Sequence, residues 1–225
     1  MVSFGRDMQD RLAVFKIDAT TGNTTFLYNL FTVNGLSFGY NQRAPSVAPD
    51  GRTFYQSARN WSASDFDAMI FALNSETTEF REVFRLRKTQ LNLPVISPNG
   101  HHVAATFFAE GSPARLGLLE VNVQTGTMQE LCTTPLGAKS SVVGWTPDSR
   151  NVVMVIVAEN PKMNEVWCVP LDGSPPQKST VAGINVFDGN ATLTTQSSGN
   201  RLVWTSGDNN LRTEIWALEN GLPRK

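Results

Sequence analysis

The sequence predicts an all-β protein built from repeated four-stranded antiparallel units, on three observations. A Pro-Asp-Gly-type turn recurs in "SVAPDGRTFYQS" from Ser46, "VISPNGHHVAAT" from Val95 and "VGWTPDSRNVVMV" from Val143, so that Pro49, Pro98 and Pro147 stand 49 residues apart. A second mark follows within each repeat: two apolar residues, any residue, an apolar residue, then a turn. The runs between turns are short, rich in Val, Ile, Phe, Trp and Thr, and bounded by Gly, Pro, Asn and Asp, with no helical periodicity.

Each unit resolves into strand A before the proline turn, B after it, C at the second mark, and D. In the turn, proline presets the first backbone angle, Asp or Asn caps its own backbone and glycine takes the positive φ. The first unit lacks the proline turn. Its "MVSFGRDMQDRLAVF" superposes on "LVWTSGDNNLRTEIW" of the last unit, so it begins in a strand B and continues through the mark "VFKIDATTG" at Val14 to a strand D. The second unit has its mark at "IFALNSETT" from Ile70 and its D strand at "EFREVF". The third has "LLEVNVQTG" from Leu118 and "MQELC". In the fourth, strand B "NVVMVIV" is apolar at successive positions, as a strand covered on both faces requires, and the mark is "VWCVPLDG" from Val166. The fifth is degraded: "LTTQSSGNRLVWTS" puts Ser197 where the proline belongs, and "IWALENG" from Ile215 closes it.

Four-stranded units of this size cannot bury their own faces, and stacking them radially gives a β-propeller. A β-sandwich would not require so constant a spacing. The expected organisation is one domain over residues 1–225, with blades at approximately 1–43, 44–91, 92–139, 140–189 and 190–225. The first blade is expected to lack strand A and the last to lack strand D. Further blades are therefore expected upstream in a longer parent protein, and the isolated chain is expected to self-associate through its open blade edges.

These motifs resemble the repeat of the TolB-type, or WD-like, β-propeller family. The turns "APDG", "SPNG" and "TPDS" are similar to that family's SPDG turn, and with the following "IW-x-apolar-(Asp/Glu)-x-x-(Thr)-Gly" pattern the resemblance covers nearly the whole chain; the ending "TEIWALENGLPRK" is similar to the close of propeller domains in bacterial proteins. The resemblance implies a non-enzymatic protein-interaction or sensory scaffold, one module of a larger bacterial envelope or regulatory protein, in the periplasm or otherwise outside the cytoplasm.

Composition narrows the partners. Of 225 residues, 17% are charged and 40% apolar, with a net charge of −1, so no basic surplus points to nucleic acid. The longest apolar run, residues 152–158, is too short to span a bilayer, and the opening residues, with Arg6 and Asp7, do not read as a secretory signal. Cys132 and Cys168 lack any CxxC spacing and read as buried thiols rather than a disulfide.

Several stretches invite a chemical reading. His101 and His102, the only histidines, fall where sister repeats have Arg52, Arg150 and Asn200, and Thr53, Asn151 and Arg201. Neighbours on a strand point to opposite faces, so the two imidazoles are expected to be structural or surface groups and to hold no metal. "GLSFG" at residues 35–39 fits the G-x-S-x-G nucleophile elbow, but "YNQRAPSVAP" follows it, which cannot begin the required helix. In a meander, A to B and C to D turns share one rim, while B to C and D to A connections share the other. Ser37 and His101 are therefore expected on opposite rims, which a catalytic triad cannot tolerate. Asp65 and Asp67 would share a face, yet no further ligand follows at calcium-loop spacing. Asn23, Asn60 and Asn190 begin glycosylation-type tripeptides of a kind that an Asn- and Thr-rich composition produces by chance.

The remaining candidate is a surface. The B to C loops vary most between repeats and stand on a rigid scaffold, which is where binding usually resides. They and their flanks carry Arg6, Arg59, Trp61, Asp65 and Asp67 in the first two units, and Arg115, Lys162, Asp208 and Arg212 in the rest. Trp with Arg is the composition of protein-binding hot spots. No catalytic residue, cofactor or metal ligand is assigned. The alternative is a propeller enzyme, a lyase or hydrolase acting at the channel mouth, which would want His and acidic residues from several blades.

Overall fold

Alternating short β-rich runs and Asx- or Gly-bearing turns fold as a series of antiparallel meanders. The computed structural model describes residues 2–10, 12–18, 20–29, 45–59, 67–77, 79–110, 115–134, 139–157, 165–179, 193–195, 201–207 and 213–219. Among the described residues there are strands and turns and no helix, and the strands form five separate antiparallel sheets.

The first sheet is β1 (Val2–Arg6), β2 (Leu12–Ile17) and β3 (Thr24–Asn29). The second is β4 (Ser46–Val47), β5 (Thr53–Arg59), β6 (Asp67–Asn74) and β7 (Phe80–Arg87). The third has β8 (Thr89–Leu91), β9 (Val95–Ile96), β10 (His102–Ala109), β11 (Arg115–Asn122) and β12 (Met128–Thr134). The fourth is β13 (Lys139–Trp145), β14 (Asn151–Val157), β15 (Glu165–Pro170) and β16 (Gln177–Lys178). The fifth has β17 (Leu193–Thr195), β18 (Arg201–Gly207) and β19 (Thr213–Glu219). Strands pair in the order A, B, C, D, and among the described residues no strand pairing joins one sheet to the next.

One element departs from the sequence reading. Strand A of the third sheet comes in two pieces, with β8 pairing the end of β10 and β9 its beginning. Pro94 lies between them, and proline cannot donate to a ladder. Thr89–Leu91, assigned on sequence to the second unit, thus joins the third sheet, and Lys88 alone, at φ 50°, links β7 to β8.

The turns are built as their residues dictate. The Asp50 carboxylate accepts the backbone N–H groups of Arg52 and Thr53, both at 2.8 Å, and Asn99 and Asp148 make the equivalent bonds to His101 and Arg150. Gly51 and Gly100 take the positive φ. The third copy of the turn has serine there instead: Ser149 holds φ 58° while 4% exposed, and its hydroxyl accepts the N–H of Asn99 in the preceding sheet at 3.0 Å. The C to D turns repeat the device, with Asp18, Asn74, Asn122 and Asp172 each accepting the N–H two residues on.

Among the described residues, the first four sheets bury apolar faces against their neighbours. Val14 and Leu27 of the first sheet pack with Phe54, Met69 and Phe71 of the second. Tyr55, Ile70, Ala72 and Val83 of the second meet Val103, Phe107, Leu119 and Val121 of the third, and Ala104 and Leu118 of the third meet Trp145, Val152 and Met154 of the fourth. The C to D pairing carries a bulge at the same place in three sheets, at Val14/Phe15, Ile70/Phe71 and Leu118/Leu119. The extra residue on strand D, Leu27, Val83 or Leu131, belongs to an inter-sheet core in each case. A bulge that re-aims one apolar side chain lets the outer strand close the gap to the next sheet.

Candidate functional site

Register separates the two rims. Arg6 pairs with Leu12, Arg59 with Ala68 and Ala109 with Arg115, which places the ends of B strands and starts of C strands together. Asp67 pairs with Arg87 at the same end, where the chain passes through Lys88 to the next sheet. The proline and C to D turns lie at the other end, so Arg6, Arg59, Asp67 and Arg115 share the B to C rim.

Two of these four are held by their own D strand. Arg85 donates to Asp67 at 3.0 Å and to Glu82 at 2.7 Å, and Arg115 donates to Glu130 at 3.1 Å. Glu82 first, then Asp67, raise the Arg85 guanidinium above its ordinary pKa and keep it charged. Asp67 is therefore an ion-pair partner on the outer surface rather than an open carboxylate. Arg59 is half-buried at the end of β5, and Arg6 closes β1. Trp61, Asp65, Lys162, Asp208 and Arg212 lie outside the described residues, as do the "GLSFG" stretch, Asn60 and Asn190. Asn23 is exposed in the first C to D turn, where its carbonyl accepts the N–H of Asp18 at 2.9 Å.

The polar groups of the opposite rim serve the fold. Burial pushes the Asp50 carboxyl up, but the Thr53 and Arg52 N–H groups with the Thr53 hydroxyl outweigh it and hold the group below its ordinary pKa. The Thr21 and Thr20 N–H groups lower Asp18 in the same way. Bonds one period apart tie sheet to sheet: the Trp145 indole N–H to the Val95 carbonyl at 2.8 Å, and the Ile96 N–H to the Ser46 hydroxyl at 2.9 Å.

His101 is exposed in its turn and His102 enters β10 half-buried, their rings 6.5 Å apart at 85°. His102 does more than its sister residues Thr53 and Asn151: its Nδ1 lies 2.5 Å from the carboxylate of Glu120, whose side chain is only 8% exposed. The two are diagonal neighbours, since His102 pairs with Asn122 and Ala104 with Glu120. The Trp145 ring of the fourth sheet lies 6.4 Å from the imidazole. This pair was missed on sequence, yet a signal existed, because Glu120 stands where Ala72 and Cys168 stand in the neighbouring repeats. Among the described residues no three His, Cys, Asp or Glu side chains come together in a way that could hold a metal ion. Cys132 and Cys168 are free thiols, and burial pushes Cys168 up to about 11.

No family model matches the chain, and no curated protein matches it. Solved structures do, and they show its fold. TolB from Acinetobacter baumannii is similar over 97% of this chain and 50% of its own, with a TM-score of 0.65 at 9% identity. An oligogalacturonate lyase in complex with manganese covers 98% and 62%, with a TM-score of 0.64 at 12% identity. A chain of the nidogen/laminin complex covers 97% and 71%, with a TM-score of 0.61 at 13% identity. The fold is a β-propeller, and the chain spans from half to under two thirds of the length of the first two of these structures.

Proposed function

We propose that this chain is a non-enzymatic protein-interaction module of a larger bacterial envelope or regulatory protein, and that it binds its partner through the B to C rim. The observation that carries the reading is the contrast between rims. At the turn rim the Asx side chains and Ser149 bond within turns and to the neighbouring sheet, whereas the B to C ends of three successive sheets carry the charged residues Arg6, Arg59, Asp67 and Arg115, the last two ion-paired to their own D strands. The solved nidogen/laminin complex, a similar fold in a protein assembly, supports it.

A photo-crosslinking residue at position 61 is expected to capture a protein from native extract, and the same residue at position 172, on the turn rim, is expected not to. Trp61→Ala should weaken the captured complex by about 2 kcal/mol or more without lowering stability. Equal capture from both positions would remove the rim from consideration. The likeness to an oligogalacturonate lyase supports the enzymatic alternative, which turnover of an acidic oligosaccharide by the purified chain would establish in its place.

A further inference from the structure

The outer strand of the second sheet differs from its sisters. Among the described residues β3, β7, β12 and β16 each end a sheet, and no strand pairs with their outer edges. On β7 that edge carries charge: Arg81, Arg85, Arg87 and the adjoining Lys88 put four of the chain's 19 Lys and Arg residues into eight positions, against the single carboxylate of Glu82. β3, β12 and β16 together hold one cation, Lys178, which is ion-paired to Glu165. Register sorts the β7 side chains. The bulge turns Val83 into the core, and from Phe84 to Arg87 the strand runs in regular register against Ile70 to Asp67. Phe84 and Leu86, only partly buried, lean on the core shared with the third sheet. Arg85 and Arg87 stand on the other face, opposite Met69 and Asp67. Arg85 is held by Glu82 and Asp67, and Arg81 donates to the Val123 carbonyl at 3.2 Å. Arg87 is exposed, lies opposite an Asp67 already taken by Arg85, and makes no ion pair among the described residues.

An edge of this kind offers backbone N–H and C=O groups to a further strand, and its side chains decide which strand fits. Two β7 edges set against each other would oppose arginine to arginine, which is unfavourable. An acidic strand instead places carboxylates beside Arg85 and Arg87, and its alternate residues fall on the other face, beside Phe84 and Leu86. We propose that β7 accepts a fifth strand from a partner protein, an extended segment that alternates acidic and apolar residues and adds along Phe84–Arg87. The second sheet has a neighbour on both faces, so its outer edge is the surface left to a partner. The contact uses the β7 backbone and not the B to C loops, and it is tested separately from the rim.

Fluorescence anisotropy with the whole chain tests it, the probe being a labelled octapeptide of alternating glutamate and valine. The peptide is expected to bind, more weakly as salt rises, and its lysine–valine counterpart is expected not to bind. Arg87→Glu should weaken binding at least about tenfold with an unchanged thermal melt, while Arg87→Lys keeps most of it. A glutamate–valine peptide with every amide N-methylated, which cannot donate to the β7 carbonyls, is expected not to bind. No binding of the acidic peptide, equal binding of the lysine peptide, binding undiminished by Arg87→Glu, or binding retained after N-methylation would each overturn the proposal. A dimer that competes with the peptide as protein concentration rises would give the edge to a second copy and overturn it as well.

Discussion

Gly117→Ala tests the cross-strand packing of the third sheet most directly. Gly117 pairs with Phe107, and a Cβ there would meet the backbone oxygen of Cys132 at 2.5 Å and the Phe107 ring at 2.8 Å. The second sheet holds the reverse arrangement at the same register, Ala58 opposite Met69. One large and one small residue fill the space in each sheet, so a methyl group on Gly117 has nowhere to go. Phe107 is 4% exposed and wedged against the second sheet, and the carbonyl belongs to β12, so relief requires β11 and β12 to part. Overpacking against backbone is expected to cost about 2–3 kcal/mol. For a chain of this size that lowers the melting temperature by about 4–12 °C, read by calorimetry or by circular dichroism. Phe107→Leu in the Gly117→Ala background should recover part of the loss, a favourable coupling in a double-mutant cycle. A Gly117→Ala chain within about 0.5 kcal/mol of wild type would refute the reasoning, since that is the range of an ordinary surface change.

Trp145→Phe leaves the Val95 carbonyl without its partner between sheets and is expected to cost about 1–3 kcal/mol in urea unfolding. Ser149→Ala keeps the strained φ and orphans the Asn99 N–H, so it should destabilise by about 1–2 kcal/mol, whereas Ser149→Gly relieves the strain and should cost less. His102→Asn, the residue of the fourth sheet, strands the Glu120 carboxylate and is expected to lower stability by about 1–3 kcal/mol, while His101→Arg should be neutral. Asp50 and Glu165 are held below their ordinary pKa values of 3.8 and 4.5, Glu165 chiefly by Lys178, so their stabilisation is present above those values and is lost as pH falls through the lower, folded ones. Asp50→Asn should accordingly flatten the acid limb of the stability profile.

The architecture was legible because it repeats. A proline turn every 49 residues and a four-residue apolar mark predict the same sheet several times over, and errors in one copy are corrected by the others. What did not repeat was hidden. The His102–Glu120 pair is unique to the third unit, and Ser149 replaces the expected glycine because its hydroxyl serves another sheet. The division of strand A into β8 and β9 follows from pairing around Pro94 and not from any periodicity. On the B to C rim the sequence names charges loop by loop, but the capture of Asp67 by Arg85 and of Arg115 by Glu130 depends on strand D lying alongside, a tertiary fact.

The hydrogen bonds that cross from sheet to sheet also bear on how the structure comes apart. Trp145 to Val95, Ile96 to Ser46 and Asn99 to Ser149 each join groups in neighbouring units, and each lies in or beside a turn that defines its unit. A sheet that frays takes away a donor or acceptor its neighbour needs, so openings are expected to spread along the arc in whole-sheet steps. Amide exchange would then register the chain as a row of coupled cooperative segments, with the second and third sheets, each covered on both faces, exchanging last.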